Sequence, residues 1–145
     1  MRLETSIRLP HSRDRVFAFF SNAANLESIT PPWLHFQIRT PRPIDMRAGT
    51  RIDYRIRVHG IPITWPSEIT VWDPPVRFVD VQTRGPYSRW VHTHSFDEAD
   101  DSTIVRDEVE FDTPLALLTG AFVMRDVRRI FAFRQQKLAE IFRRT

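Results

Sequence analysis

The chain has 145 residues, 41% of them hydrophobic, 27% charged and none cysteine, and its formal net charge is +3. The length predicts one globular domain over residues 1–145, and the lack of cysteine excludes disulfides, thiolate catalysis and zinc–thiolate or iron–sulfur sites. The arginines are scattered among acids instead of forming a basic patch, so we expect no specific binding of nucleic acid.

The N-terminal part of the chain predicts a strand followed by short helices. Residues 2–9 alternate apolar and polar side chains, which is typical of a half-buried strand. Ser12 is expected to cap a short helix with an apolar stripe. Residues 22–29 predict a second helical piece, which ends at Pro31 because proline cannot continue a helix.

The middle of the chain predicts a run of strands. From Trp33 to Phe111 apolar and polar residues alternate almost without interruption. Gly49, Gly60 and Gly85 fall where the alternation breaks, which indicates turns between consecutive antiparallel strands. The predicted strands cover residues 34–38, 52–58, 61–72, 77–83, 88–96 and 103–111.

The C-terminal segment from Leu115 to Arg143 places apolar residues at helical spacing. It predicts one amphipathic helix of roughly 25 residues, about 38 Å long. Gly120 is expected to interrupt its first turns, since glycine in a helix interior costs about 1 kcal/mol. The order of the elements predicts an α+β fold in which this helix lies across one curved antiparallel sheet.

Four segments of the chain carry a family resemblance: NLESITPPWLHFQI, GTRIDYRIRVHGIPITW, WDPPVRFVDVQTRGPYSRWVHTHSF and IFAFRQQKL. They resemble the START/Bet v1-like (SRPBCC) superfamily, in a bacterial branch near coenzyme Q-binding and polyketide-cyclase-like domains. The resemblance covers essentially the whole chain. It implies a helix-grip fold, with about seven antiparallel strands wrapped around a long C-terminal helix and two short helices after the first strand. Members bind lipids, sterols, quinones or polyketides, cyclise them, or assist other proteins, so the fold alone does not choose an activity.

The predicted strand 88–96 has an unusual face. Because successive side chains of a strand point to opposite sides, Trp90, His92, His94 and Phe96 share one side. Two bulky aromatics with two histidines fit neither an ordinary apolar core nor an ordinary solvated surface. We interpret this face as the inward one.

Asp107 is a single acid on the apolar face of the next strand and is also expected to point inward. If residues 97–102 form a symmetric hairpin, His92 lies opposite Asp107 and His94 opposite Val105, with directly opposed Cβ atoms about 5 Å apart. The same construction across the turn at Gly85 places Asp80 or Gln82 beside His92. A shift of one residue in either hairpin would dissolve this inward polar band.

Three interpretations of the band remain open. In the first, His92 and Asp107 form a structural pair, because buried polar groups need partners. In the second, apolar side chains wall a cavity and the band holds the head group of a ligand. In the third, His92 and Asp107 act as a general acid–base pair. Two histidines near carboxylates can also bind zinc or iron, but Trp90 and Phe96 on the same face argue against it, and no metal is predicted.

The surroundings of the predicted cavity follow from the same patterns. Arg134 lies on the apolar face of the C-terminal helix and is expected to be structural, with an ion pair to an inward acid or an anionic ligand as the alternative. The entrance is expected near residues 115–122, residues 41–46 and Gly60. His59, which precedes that glycine, is expected to be solvated.

The favoured interpretation is non-catalytic binding of a hydrophobic or amphipathic small molecule, such as a lipid, quinone or polyketide-like compound, in an internal cavity. The alternatives are a cyclase- or dehydratase-like enzyme that uses His92 and Asp107, and a protein-binding accessory domain with a collapsed interior and a large apolar surface patch. The predicted ligand-binding residues are Tyr54, Trp65, Phe78, Asp80, Gln82, Trp90, His92, His94, Phe96, Asp107, Phe122, Val127, Phe131 and Arg134.

The sequence also bears on where the protein is located and on whether it needs a cofactor. The N-terminal residues lack the apolar run of a signal peptide, and no segment approaches the roughly 18 apolar residues of a membrane span. We therefore expect a cytoplasmic protein that does not insert into membranes. No cofactor is predicted, and the sequence leaves the oligomeric state open.

Overall fold

A computed structural model describes residues 1–85, 87–113 and 116–143, without the side chains of residues 116–118. The predicted helix start at Leu115 lies outside these residues. The elements are β1 (Arg2–Leu9), α1 (Arg13–Phe20), 3-10 helices Ala23–Ile29 and Pro32–Leu34, β2 (Gln37–Ile38), β3 (Arg51–Val58), β4 (Ile61–Asp73), β5 (Arg77–Gln82), β6 (Arg89–Ala99), β7 (Ser102–Asp112) and α2 (Ala116–Ile141).

The strands form one antiparallel sheet in the order β1-β7-β6-β5-β4-β3-β2. Consecutive strands pair as hairpins from β2 to β7, and β1 closes the other edge against β7. The predicted α+β helix-grip architecture is confirmed by this topology together with the long helix α2. No helix in the described residues is both long and apolar enough to cross a bilayer.

The N-terminal helices form where local chemistry favours them. Ser12 has extended backbone angles, and its hydroxyl accepts a hydrogen bond from the amide of Arg15 at 3.3 Å, which caps α1 as predicted. The second helical piece is a 3-10 helix, capped by Asn22 through the amide of Ala24. These caps position the buried side of α1 against the sheet.

Apolar clusters hold the helices on the inner face of the sheet. Phe17 and Phe20 of α1 pack with Phe78 and Phe96 of the sheet and with Leu138 of α2. A second cluster joins Val109 and Phe111 of β7 to the residues Val127 and Phe131 of α2. Helix α2 is thus fixed to the sheet at two places along its length.

Two predicted elements are corrected by the structure. The strand predicted over residues 34–38 is reduced to Gln37–Ile38, because the backbone before it forms a 3-10 helix and then turns at His35, whose φ is +48°. Gly120 does not interrupt α2, which is helical throughout Ala116–Ile141. A Cβ at Gly120 would lie 3.5 Å from Met1 Sδ, which is an ordinary van der Waals contact, so the backbone there has the geometry of any other helical residue.

The β6–β7 hairpin is tighter than predicted. Pairing continues to Ala99 and Ser102, and Asp100 adopts a φ of +56°, a left-handed conformation that aspartate tolerates better than most residues. His94 therefore lies opposite Asp107, and His92 lies opposite Val109. The predicted register was wrong by two residues. Because two is an even number, every side chain keeps its predicted face.

Candidate functional site

A cavity of about 550 Å³ lies between the inner face of the sheet, the segment around the 3-10 helices and α2. This volume falls within the range of roughly 300–1,000 Å³ that small-molecule sites occupy. Most of the wall is aromatic or aliphatic. Its apolar lining comprises Leu26, Ile29, Trp33, Leu34, Phe36, Tyr54, Ile56, Val58, Trp65, Tyr87, Trp90, Ile130 and Phe131.

One end of the cavity reaches the protein surface at residues that both line it and are exposed to solvent. Trp33 is 44% exposed, and the guanidinium of Arg129 lies 5.0 Å from its ring. His59 and Asp126 also line the cavity, with His59 Nε2 2.7 Å from Asp126 Oδ2, and the ring of Phe122 packs on His59. His59 is exposed, as expected, and it also links the β3–β4 turn to α2.

The opposite, inner end of the cavity is polar. It consists of Asp80 from β5, His92 and His94 from β6, Asp107 from β7 and Arg134 from α2, and we call these residues the inner cluster. Residues 80, 92 and 94 are brought together because neighbouring antiparallel strands place Asp80 directly opposite His92. The inner cluster is the largest concentration of buried polar side chains in the described residues.

Asp107 is the centre of the cluster. Its side chain accepts hydrogen bonds from His92 Nε2 at 2.8 Å and from Arg134 Nη2 at 3.1 Å and Nε at 3.3 Å. Burial by itself would raise the pKa of Asp107, but Arg134 and the hydrogen bond from His92 outweigh it and hold that pKa well below its usual range. Asp107 is therefore a buried carboxylate whose charge is matched by Arg134.

His94 is a neutral histidine with both nitrogens occupied. Its ring is stacked between Phe78 at 4.0 Å and His92 at 3.6 Å. Burial, reinforced by the neighbouring His92, lowers the pKa of His94 to about 4. Arg134 Nη2 lies 3.3 Å from His94 Nδ1, and because a guanidinium can only donate, Nδ1 accepts this hydrogen bond. The proton of the neutral His94 ring is therefore on Nε2, which donates a hydrogen bond to Asp80 Oδ2 at 2.6 Å.

His92 and Asp80 present unoccupied acceptors to the cavity. Since an ionised carboxylate can only accept, His92 Nε2 carries the proton donated to Asp107, which leaves Nδ1 without a proton in the neutral ring. This Nδ1 lies 3.9 Å from Asp80 Oδ2, too far for a hydrogen bond. Burial opposes ionisation of Asp80, but the hydrogen bond from His94, together with electrostatic attraction to His92 and Arg134, outweighs burial and lowers the pKa of Asp80. Asp80 is thus a half-buried carboxylate at the cavity wall.

Residues 1–143 match the model of the family described as polyketide cyclase / dehydrase and lipid transport. The chain belongs to this family. The description covers both catalysts and carriers, so membership fits ligand binding without choosing between the two. No curated protein sequence matches the chain significantly.

Several solved structures share the fold of this family member. CV1439 from Chromobacterium violaceum has a TM-score of 0.77 at 12% identity, covering 99% of this chain and 98% of its own. TTHA0849 from Thermus thermophilus has a TM-score of 0.72 at 18% identity, with coverages of 97% and 95%. Ara h 8.0201 has a TM-score of 0.65 at 15% identity, with coverages of 97% and 98%. The resemblance to the START/Bet v1-like superfamily is confirmed.

Eight of the residues predicted from the sequence line the cavity of this family member, and six lie elsewhere. The eight are Tyr54, Trp65, Asp80, Trp90, His92, His94, Phe131 and Arg134. Phe78, Phe96 and Val127 lie in the packed apolar clusters, and Asp107 lies behind His92. Gln82 donates to the carbonyl of Tyr87 at 3.1 Å, and Phe122 is 56% exposed at the mouth.

Several lining residues were missed by the sequence interpretation. Ile56 and Val58 share the β3 face of Tyr54, so the alternation alone contained the signal that would have found them. Trp33 and Tyr87 lie outside strands, where no periodicity assigns a direction. Of the predicted entrance, Gly60 lines the mouth and residues 41–46 do not line the cavity, while the side chains of residues 115–118 lie outside the described residues.

The inner cluster also has the composition of a metal site. Asp80, His92 and His94 can each offer one ligand atom, and these atoms lie within 4.8 Å of one another. The two imidazole planes are only 27° apart and stacked, so their in-plane lone pairs run side by side and do not converge on one point. His94 Nε2 is also protonated and donates a hydrogen bond to Asp80, so it has no lone pair for an ion. The observed geometry is that of a hydrogen-bonded network, and an ion would require one ring to turn.

Proposed function

We propose that this protein binds a hydrophobic or amphipathic small molecule, such as a lipid, a quinone or a polyketide-like compound, and that it does so without chemical conversion. The observation that carries this proposal is the cavity of about 550 Å³ with apolar walls, one open mouth and one polar inner end. A protein-binding accessory domain would instead have a collapsed interior, and the interior of this protein contains a cavity.

The division of the cavity suggests how such a ligand is held. The aromatic and aliphatic walls remove apolar ligand surface from water, which contributes about 0.8 kcal/mol for each buried methylene group. The inner cluster is held rigidly by β5, β6, β7 and α2, so its polar atoms are already positioned before a ligand arrives. Preorganisation of this kind lowers the entropic cost of binding. The ligand's polar group is therefore expected at the inner cluster and its apolar part toward Trp33.

Filling the cavity tests the proposal. Ile56 lines the wall, and Ile56→Trp is expected to weaken binding of the fluorescent apolar probe N-phenylnaphthylamine by about tenfold or more, because the larger ring occupies ligand space. Fluorescence titration measures the affinity, and native mass spectrometry of protein from a lipid-containing lysate shows whether a ligand is carried. Ile141→Trp is the control, since Ile141 is 42% exposed and does not line the cavity. Equal affinity of both variants would count against the cavity as the binding site.

A second candidate function is supported by the contact between His92 and Asp107. Asp107 holds the proton of His92 on Nε2, so that Nδ1 can take a proton from a bound group while the carboxylate stabilises the imidazolium that forms. This arrangement suits the proton transfer of a cyclase- or dehydratase-like reaction. It differs from the first candidate in requiring turnover.

The enzymatic candidate makes a separate prediction. A hydroxyacyl N-acetylcysteamine thioester should lose water in the presence of the protein, and His92→Ala should slow the reaction by roughly a hundredfold or more. The appearance of the unsaturated thioester is followed by its ultraviolet absorbance. His35→Asn, at an exposed position whose side chain does not line the cavity, should keep the full rate. Lack of turnover by the unaltered protein, or full turnover by His92→Ala, would remove this candidate.

A further inference from the structure

The inner cluster offers a ligand a particular set of hydrogen-bonding atoms. Asp80 Oδ2 accepts from His94, whereas no donor among the described residues lies within hydrogen-bond distance of Asp80 Oδ1. His92 Nδ1 is a second acceptor without a partner there. Both residues line the cavity. The wall of the inner end is therefore rich in acceptors that a ligand can reach.

The charges of the cluster favour a ligand group without negative charge. Arg134 is balanced by Asp107, which it contacts through two nitrogens, Nε and Nη2. The carboxylate of Asp80 receives its hydrogen bond from a histidine that is neutral, and the guanidinium that attracts it, that of Arg134, is hydrogen-bonded to Asp107 instead. A ligand carboxylate or phosphate at this end would face Asp80 across a poorly solvated space, and like charges at such distances repel strongly.

One donor of the cluster is also unoccupied. Arg134 Nη1 has no hydrogen-bond partner among the described residues, and Arg134 lines the cavity as well. A hydroxyl group can donate to Asp80 and accept from Arg134 at the same time. A carboxylate can only accept, and an ammonium group can only donate, so each would leave part of the cluster unsatisfied.

We infer that the polar group of the ligand is an uncharged hydroxyl, an alcohol or a phenol, that donates a hydrogen bond to Asp80 at the inner end of the cavity. This inference rests on the proposed function. The inference names the chemical class of the ligand, and it predicts that the protein prefers hydroxylated amphiphiles to fatty acids and to amines of similar size.

A matched series of naphthalene compounds tests the inference on the unaltered protein. Naphthol, naphthoate, naphthylmethylammonium and naphthalene share one apolar body, and each is titrated in competition with N-phenylnaphthylamine. Naphthol is expected to bind roughly ten to a hundred times more tightly than the other compounds, because a hydrogen bond to a charged acceptor discriminates by that factor. Stronger or equal binding of naphthoate, naphthylmethylammonium or naphthalene would overturn the inference. Failure of all these compounds and of the probe to bind would instead contradict the proposed function.

A substitution identifies the atom responsible. Asp80→Asn is expected to lower the affinity for naphthol by about tenfold and to leave the affinity for naphthalene unchanged, since it removes the charge of the acceptor and keeps its size. Asp97→Asn removes the same charge at an exposed position, where Asp97 pairs with Arg106, and should change neither affinity. If Asp80→Asn weakens naphthol and naphthalene equally, Asp80 shapes the cavity and does not recognise a hydroxyl.

Discussion

Replacing Arg134 with methionine is expected to lower the free energy of unfolding by about 3–5 kcal/mol, because it leaves Asp107 as a buried carboxylate without a balancing cation. Arg134 is 7% exposed, and Asp107 is 3% exposed. Methionine keeps the apolar stem of the arginine, but it also removes the guanidinium that lies 5.3 Å from the Phe20 ring and 5.9 Å from the Phe131 ring, so part of the loss comes from these two contacts. Chemical denaturation followed by tryptophan fluorescence measures the effect.

Two further variants separate lost charge from lost packing. Arg129→Met makes the same change at an exposed position of α2 and should cost much less, since exposed arginines contribute little to stability. The double variant Arg134→Met, Asp107→Asn removes both charges and should recover a large part of the loss. If Arg134→Met costs no more than Arg129→Met, the buried ion pair is not a source of stability.

Acidification is expected to destabilise the fold by about 3 kcal/mol between about pH 6.5 and about pH 4 through His94 alone. Burial lowers the pKa of His94 to about 4 in the folded protein, while an unfolded histidine has a pKa near 6.5. Between these values the unfolded chain binds a proton that the folded chain does not, so stability falls as the pH falls. The lowered pKa values of Asp80 and Asp107 add stability that is full above the pKa of an unfolded aspartate and is lost at still lower pH.

A glutamine at position 94 tests this assignment. Glutamine can donate to Asp80 and accept from Arg134 as His94 does, but it does not titrate. Unfolding of His94→Gln measured across this pH range should therefore depend on pH less steeply, by about the 3 kcal/mol assigned to His94. His35→Asn changes an exposed histidine and should keep the full dependence. An NMR titration that finds an ordinary pKa for His94 would contradict the argument.

The elements that repeat one pattern over many residues were predictable from the sequence. In β1 the apolar residues alternate, and in α2 they recur at helical spacing, because each element buries one of its sides in the core of the protein. The segment around His35 was not predictable, since two prolines and a left-handed residue override an alternation that is short. Gly120 was misjudged because its cost of about 1 kcal/mol is small beside the packing of α2 against the sheet.

The inner cluster shows the same division within one site. The faces of His92, His94 and Asp107 were predicted correctly, but their register was not, since it depends on the conformation of Asp100 in the hairpin turn. The contact between His92 and Asp107 is nevertheless present at 2.8 Å. It forms on the diagonal between the strands, because imidazole and carboxylate side chains are long enough to reach across an offset of two residues.

By itself the sequence determined the order of the elements, the inward face of each strand and the presence of polar residues on an otherwise apolar inner face, since these depend on periodicity along the chain. Tertiary structure alone decided which polar residues meet, that Arg134 balances Asp107, and that Asp80 and His92 are left with unoccupied acceptors at the cavity. It also decided that Phe78 and Phe96 fill the core while Trp33 and Tyr87 line the cavity. The physical reason is that contacts between distant residues depend on hairpin register and on the position of α2 over the sheet, and neither is written in a local pattern.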